Sequence, residues 1–350
     1  MQAPARGPLR HVLVHLLTPL LMCLGMGLAY MSAFVTPEPH DMPVAVVGTD
    51  ARAHAFAESV ADKAGDALDV RTLASRAQAV DALTSLDISG AYVPDARTPE
   101  LLVASAGSDM SALAAEKVFT PLAAAQGAPL KVTDVAPTVP DDPTGQGLFF
   151  LLVAVSIGSY ASVAALGAAG GALRMRARAG LAVGVALAVS LIGTVLAGPV
   201  FHLAHHGLWG VWAMSWLYSA GILLIGVGLH TFLKRWTTLA MMVLFVMLNF
   251  TSSGGLFRPE LQNGFFGSLH AFWNGAGFVE GVRSQLYFGG HGLGGHVGTL
   301  VAWLAVGALL TAVAGLVERR RAAVAAAPAP ATAADRKEEM EEEMEESVGV

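Results

Sequence analysis

"GFVEGVRSQLYFGG", residues 277–290, decides how this chain is threaded. Helical spacing puts Phe278, Val279, Val282 and Leu286 on one face, and Glu280, Arg283, Ser284 and Tyr287 on the other. Glu280 and Arg283 stand three residues apart, so they can pair and lower the cost of holding charge near lipid. The stretch connects two strongly apolar segments, Leu239–Phe250 and Val297–Val317. Just upstream, "LQNGFFGSLHAFWN" (261–274) has the aromatic content of a membrane-interface element. The pattern predicts a re-entrant element over 262–288, an amphipathic helix that lies at the membrane surface or dips into it.

That reading requires a membrane, and the composition supplies one. Hydrophobic residues make up 54% of the 350 and charged residues 14%, whereas about a quarter of a soluble domain is charged. Six stretches approach the roughly 20 apolar residues that cross a hydrocarbon core as a helix, near 11–35, 147–173, 180–200, 209–233, 237–253 and 297–317. Lipid cannot satisfy backbone polar groups, so helices are expected. The first apolar run exceeds the 7–15 residues of a signal-peptide core, and "SAFVTPEP" offers no small-x-small cleavage site, so it is expected to stay as an anchor. Cys23, the one cysteine, lies inside it, and a disulfide within the chain is excluded.

Lys and Arg near the segment ends set the orientation. Arg6, Arg10, Arg174, Arg176, Arg178, Lys234, Arg235, Arg319, Arg320 and Arg321 fall on one side, while the short loops opposite carry only Arg258 and Arg283. Both termini are therefore expected in the cytoplasm of a multi-pass plasma-membrane protein. Residues 1–10 form a short cytoplasmic tail, and 36–146 an extracytoplasmic domain holding sixteen acids against seven Lys and Arg. Strands at 44–50, 68–73, 88–94 and 130–135, a further apolar run at 100–106, and helices at 52–65, 75–86 and 109–126 predict a small mixed α/β sheet. Five helices and the re-entrant element fill 147–317. Residues 318–350, with "DRKEEMEEEMEE" at 335–346, read as a disordered acidic tail.

Candidate chemistry is sparse. "HLAHH" sets His202, His205 and His206 on one face if helical, a weak metal-ligand pattern without a carboxylate or thiolate beside it, and His291 and His296 lie at the same outer surface. The acids of "PDDP" (140–143) lack the alternating spacing of a calcium loop. No GxGxxG follows the first strand, so neither a nucleotide nor nucleic acid is expected on this domain. Hydroxyls and amides within the spans, among them Ser156, Ser159, Ser215, Tyr218 and Asn249, are expected to serve helix packing. The spans hold no Asp, Glu, Lys or Arg, whereas a proton- or sodium-coupled carrier generally needs one there. HExxH, GxSxG and an intramembrane carboxylate pair are absent, so an enzyme is not expected.

One anchor, a soluble extracytoplasmic domain, then five spans with a re-entrant element before the last resembles the plan of type-2 ABC transporter permeases. Within that superfamily, residues 249–290 resemble the YhgE/Pip (phage-infection-protein-like) branch. The likeness is carried by Ser252, Ser253, Gly254 and Gly255, by "PEL" beginning at Pro259, by Phe265, Phe266 and His270, and by Arg283, Gly289 and Gly290. "MPVAVVGTD" at 42–50 resembles the start of that branch's external domain. The resemblance implies a homo- or heterodimeric membrane component that exports an amphiphilic or hydrophobic substrate. The chain has no GxxxxGK[ST] loop, so ATP would be hydrolysed by a separate nucleotide-binding subunit and no cofactor is expected on this chain. Arg174, Arg176 and Arg178, between the second and third spans, are the candidate contact for that subunit, or else hold topology. A non-transporting envelope component of the secretion-assembly or phage-adsorption type is the other reading.

Overall fold

A computed structural model describes residues 6–95 and 97–326. The polypeptide begins with α1 (Arg6–Phe34), then builds a small sheet domain from β1 (Met42–Val47), α2 (Ala51–Ala64), β2 (Leu68–Leu73), α3 (Arg76–Thr84), β3 (Gly90–Val93), β4 (Glu100–Val103), α4 (Asp109–Ala125) and β5 (Lys131–Asp134). Strand order is β2-β1-β3-β4-β5, with β3 and β4 antiparallel and every other pair parallel. Asp50, Ser75 and Ser108 start the three helices by accepting the backbone N–H of Ala53, Gln78 and Ser111, each the side-chain cap that orphan amides at a helix start require.

The sheet is covered on both faces. Period-two alternation sends Val44, Tyr92, Leu101 and Val103 to one side, against Val60 and Phe119, and Ala45, Ala91 and Leu102 to the other, against Ala79 and Leu83. Two residues from far down the chain complete these cores, Leu261 on the first face and Phe288 on the second. Both flank the segment 262–287.

Glu100 ties the distal end of the sheet together. It accepts Arg76 Nε at 2.9 Å and Thr133 Oγ1 at 2.7 Å, with Lys131 Nζ at 3.5 Å. The hydrogen bond from Arg76, with help from Thr133 and Lys131 and against partial burial, pulls its carboxyl down to about 2. A depressed carboxyl stabilises the fold at pH above its ordinary 4.5 and loses that contribution as pH falls towards 2. Thermal unfolding of the detergent-solubilised chain across that window is expected to show a steeper acid loss in wild type than in Glu100→Gln; parallel curves would remove Glu100 from the account.

The helical part follows with α5 (Gly147–Ala169), α6 (Met175–Val195, continued by a π turn over Leu196–Val200), α7 (Leu208–Leu233), α8 (Thr237–Met242), a π turn over Val243–Met247, α9 (Leu248–Thr251), α10 (Gly264–His270), α11 (Asn274–Tyr287) and α12 (Leu293–Ala326). Among the described residues five stretches are long and apolar enough to cross a membrane: Leu16–Phe34, Gly147–Ala172, Met175–Val200, Leu208–Thr251 and Leu293–Ala325. Leu20, Leu24 and Leu28 of α1, Leu187 and Leu191 of α6, and Leu309 and Leu316 of α12 face outward and exposed. Apolar surface on that scale suits lipid, not water.

The end of the last span differs from the sequence expectation. The final helix does not stop at residue 317 but continues to Ala326, so the first part of the expected tail is ordered helix. "ERRRAAVAA" is made of strong helix formers, and Glu318 is held against α6, as described below. The acidic block at 335–346 lies outside the described residues, as do residues 1–5.

Candidate functional site

Helix α11 was expected to be amphipathic, half in the membrane surface. It is instead enclosed on all sides: every residue but Gln285 and Tyr287 is buried. The apolar face, with Phe278, Val279, Val282 and Leu286, joins the core of the helical bundle. The charged face is equally enclosed, leaving Glu280 and Arg283 only 4% and 3% exposed. The polar face is covered, not exposed as expected, because it has protein charges to meet and needs neither water nor headgroups.

Those partners come from the loop 252–262. Arg283 bonds Glu280 through Nη1 and donates through Nη2 to the carbonyl of Gly254 at 3.0 Å. His270 Nδ1 donates to the Ser252 carbonyl at 2.9 Å, and its Nε2 stands 3.8 Å from Glu280 Oε1. Gly254 has φ of 72°, and a Cβ there would lie 2.6 Å from the His270 ring and 2.8 Å from Glu280. Only glycine fits both that conformation and that space. Arg258 Nε approaches Glu260 Oε1 at 3.4 Å.

Glu260 then crosses to the sheet domain. Its Oε1 accepts from Ser89 and Ser111, each at 3.0 Å, and its backbone oxygen accepts from His40 N at 2.8 Å. Arg283–Glu280 and Arg258–Glu260 are thus two charge-balanced pairs between α11 and the sheet, the condition under which buried ions are tolerated. Sequence reading singled out Glu280, Arg283, Gly254 and His270 but passed over Arg258 as a loop charge and Glu260 as part of "PEL". The alternation of R-P-E at 258–260 was the available signal.

The other motif residues serve the same loop. Ser253 Oγ donates to the Phe250 carbonyl and accepts from Gly255 N, while Ser252 Oγ returns to the Leu248 carbonyl. Pro259 opens a short 3-10 turn. Gly289 and Gly290 take φ of 58° and 83° where α11 ends, and Gly290 N bonds the Ser284 carbonyl at 2.9 Å, a left-handed helix stop.

Beneath α11 a hydrogen-bond relay joins three helices. Asn249 Nδ2 donates to Tyr218 Oη at 2.7 Å, and Ser156 Oγ donates to the Leu152 carbonyl at 2.6 Å. One proton per hydroxyl then fixes the middle bond, so Tyr218 donates to Ser156 across 2.5 Å. Tyr218→Phe would leave the Asn249 amide without its acceptor, a cost of about 1–3 kcal/mol. Lower thermal stability in detergent is the expected reading, recovered in Tyr218→Phe/Asn249→Leu. A single variant matching wild type would show that the relay contributes nothing.

The three arginines at 174–178 do not act together. Arg174 and Arg176 are exposed, but Arg178 is buried and paired with Glu318 of α12, which also accepts Thr231 Oγ1 at 2.8 Å. Arg178 is therefore withdrawn from the expected partner contact, because it has an internal acid that the sequence reading had assigned to the tail.

The histidines also differ from expectation. His202, His205 and His206 lie in an irregular turn, where Pro199 and the left-handed Gly207 prevent a continuous helix, so they share no helical face. The rings of His202 and His205 stack at 6.3 Å, and His205 reaches Asp141 at 4.0 Å. Among the described residues no group of three potential ligands converges on a point. The site offers buried charge and a physical link between the helical bundle and the sheet domain. No family model, curated protein or solved structure matches this chain.

Proposed function

We propose that this chain is the permease-like subunit of a type-2 ABC export system in the plasma membrane, working as a dimer and moving an amphiphilic or hydrophobic substrate. The observation that carries the reading is the α10–α11 hairpin before the last helix. It is built into the bundle, and its two flanks complete both cores of the sheet domain. A movement of the helices would reach the sheet domain through Leu261, Phe288 and Glu260, which accepts from Ser89 and Ser111. The motif resemblance of residues 249–290 to the YhgE/Pip branch supports the same reading.

The geometry supports a reading of six crossings. Leu208–Thr251 is 44 residues long, about 66 Å of helix against a core of about 30 Å. It is broken at Lys234, whose φ is 47°, with Lys234, Arg235 and Trp236 exposed. Two crossings joined by a basic turn fit that break, and the Lys and Arg at the turns 173–176 and 234–236 support a cytoplasmic side for them and for both termini. ATP hydrolysis belongs to a second polypeptide docked on those turns.

Purification from native membranes in mild detergent tests this. A stoichiometric nucleotide-binding subunit, lost from Arg235→Glu, is the expected result. Recovery with envelope or secretion proteins alone would overturn it in favour of a non-transporting component.

A further inference from the structure

An open groove of about 590 Å³ runs between α6 and α12. Ala179, Gly180 and Val183 form one wall, Ala308 and Ala312 the other, and Leu224 of α7 the floor. Its mouth carries Arg176 and Arg319, and continues into a second cavity of about 370 Å³ where Arg174 joins them. All three arginines are exposed. Glu318, the acid at this mouth, is engaged by Arg178 and Thr231. The first turn of α6 points its amides the same way, without a side-chain cap, and a helix N-terminus adds positive potential.

We propose that this groove holds an anionic phospholipid, with an acyl chain between α6 and α12 and the phosphate between Arg176 and Arg319, Arg174 beside them. The apolar length matches hydrocarbon, and the basic mouth matches a phosphate at headgroup depth. A second copy fits less well. A two-fold interface on this face would set the arginine cluster against itself, and among the described residues the one acid at the mouth, Glu318, is already engaged. Arg174 and Arg176 also belong to the turn proposed to meet an ATPase, so the lipid is tested on the chain without that subunit.

Native mass spectrometry of the purified full-length chain, in micelles containing equal phosphatidylglycerol and phosphatidylcholine, tests the assignment without any partner subunit. One retained phosphatidylglycerol per chain is expected, in preference to phosphatidylcholine. Arg176→Gln/Arg319→Gln is expected to weaken that binding roughly thirtyfold, about fivefold per charge. Gly180→Leu fills the groove, and its Cβ meets nothing within 4 Å, so a folded variant with every charge intact should lose the retained lipid. Excess inorganic phosphate should leave the lipid bound. Displacement by phosphate would show an anion site without a chain groove and overturn the assignment. Equal retention of both lipids would overturn it too, as would disulfide cross-linking of Ala312→Cys copies in native membranes that survives the arginine substitutions.

Discussion

Arg283→Ala is expected to destabilise the folded chain by about 3–5 kcal/mol, the cost of stranding a buried carboxylate after its partner is removed. Glu280 is 4% exposed, so water cannot replace the guanidinium. The substitution also takes the donor from the Gly254 carbonyl, which helps hold the loop that reaches the sheet domain. Arg258→Ala is expected to cost less, because Arg258 keeps 18% of its side chain exposed and Glu260 retains Ser89 and Ser111 as donors. Thermal unfolding in detergent gives the order. The diagnostic variant is Glu280→Gln/Arg283→Met, which removes both charges and is expected to recover most of the loss. Equal tolerance of Arg283→Ala and Arg258→Ala, or no recovery in the double variant, would mean that the pair is not the linkage described here.

What the sequence made legible was whatever depends on local pattern. Short apolar runs between 42 and 135 gave β1, β2, β3 and β5 to within a few residues and marked β4 as an apolar run, because β1 to β4 each bury apolar side chains. Apolar length gave the long apolar helices in the same way, except that the segments expected at 209–233 and 237–253 fall within one stretch, Leu208–Thr251. Contacts across long separations were not legible. Helical periodicity correctly put Glu280 and Arg283 on a face opposite Phe278, but period cannot say whether that face meets lipid, water or a loop such as 252–262. Arg178 looked like its exposed neighbours because its partner, Glu318, lies 140 residues away. The "HLAHH" pattern misled for a related reason. Spacing implies a shared face only inside a helix, and the flanking Pro199 and Gly207 set the chain turning there.

Packing of α7 on α12 supplies the second large expected effect. These helices form the most extensive contact in the bundle, and their backbones touch where both lack side chains. A Cβ on Gly307 would lie 2.9 Å from the Gly221 carbonyl oxygen and 3.2 Å from Ile225 N; one on Gly228 would lie 2.9 Å from the backbone of Leu310 and Thr311. Thr311 Oγ1 donates to the Leu224 carbonyl at 2.8 Å within the same seam. Such close approach replaces the hydrophobic drive that lipid cannot provide between helices. Gly307→Val or Gly228→Leu meets backbone, which cannot rotate away, so each is expected to cost about 3 kcal/mol, the upper end of overpacking. Gly298→Ala is the control, since it adds a methyl to the same helix α12 with nothing within 4 Å. It is expected to be neutral or to gain up to about 1 kcal/mol from helix propensity. Because α12 also carries Glu318 and one wall of the groove, separating it from α7 should weaken the Arg178 pair as well. The Gly307→Val loss should therefore shrink when measured in an Arg178→Met/Glu318→Leu background. Full additivity would place that pair outside the cooperative seam, and wild-type stability of Gly307→Val alone would refute the close approach itself.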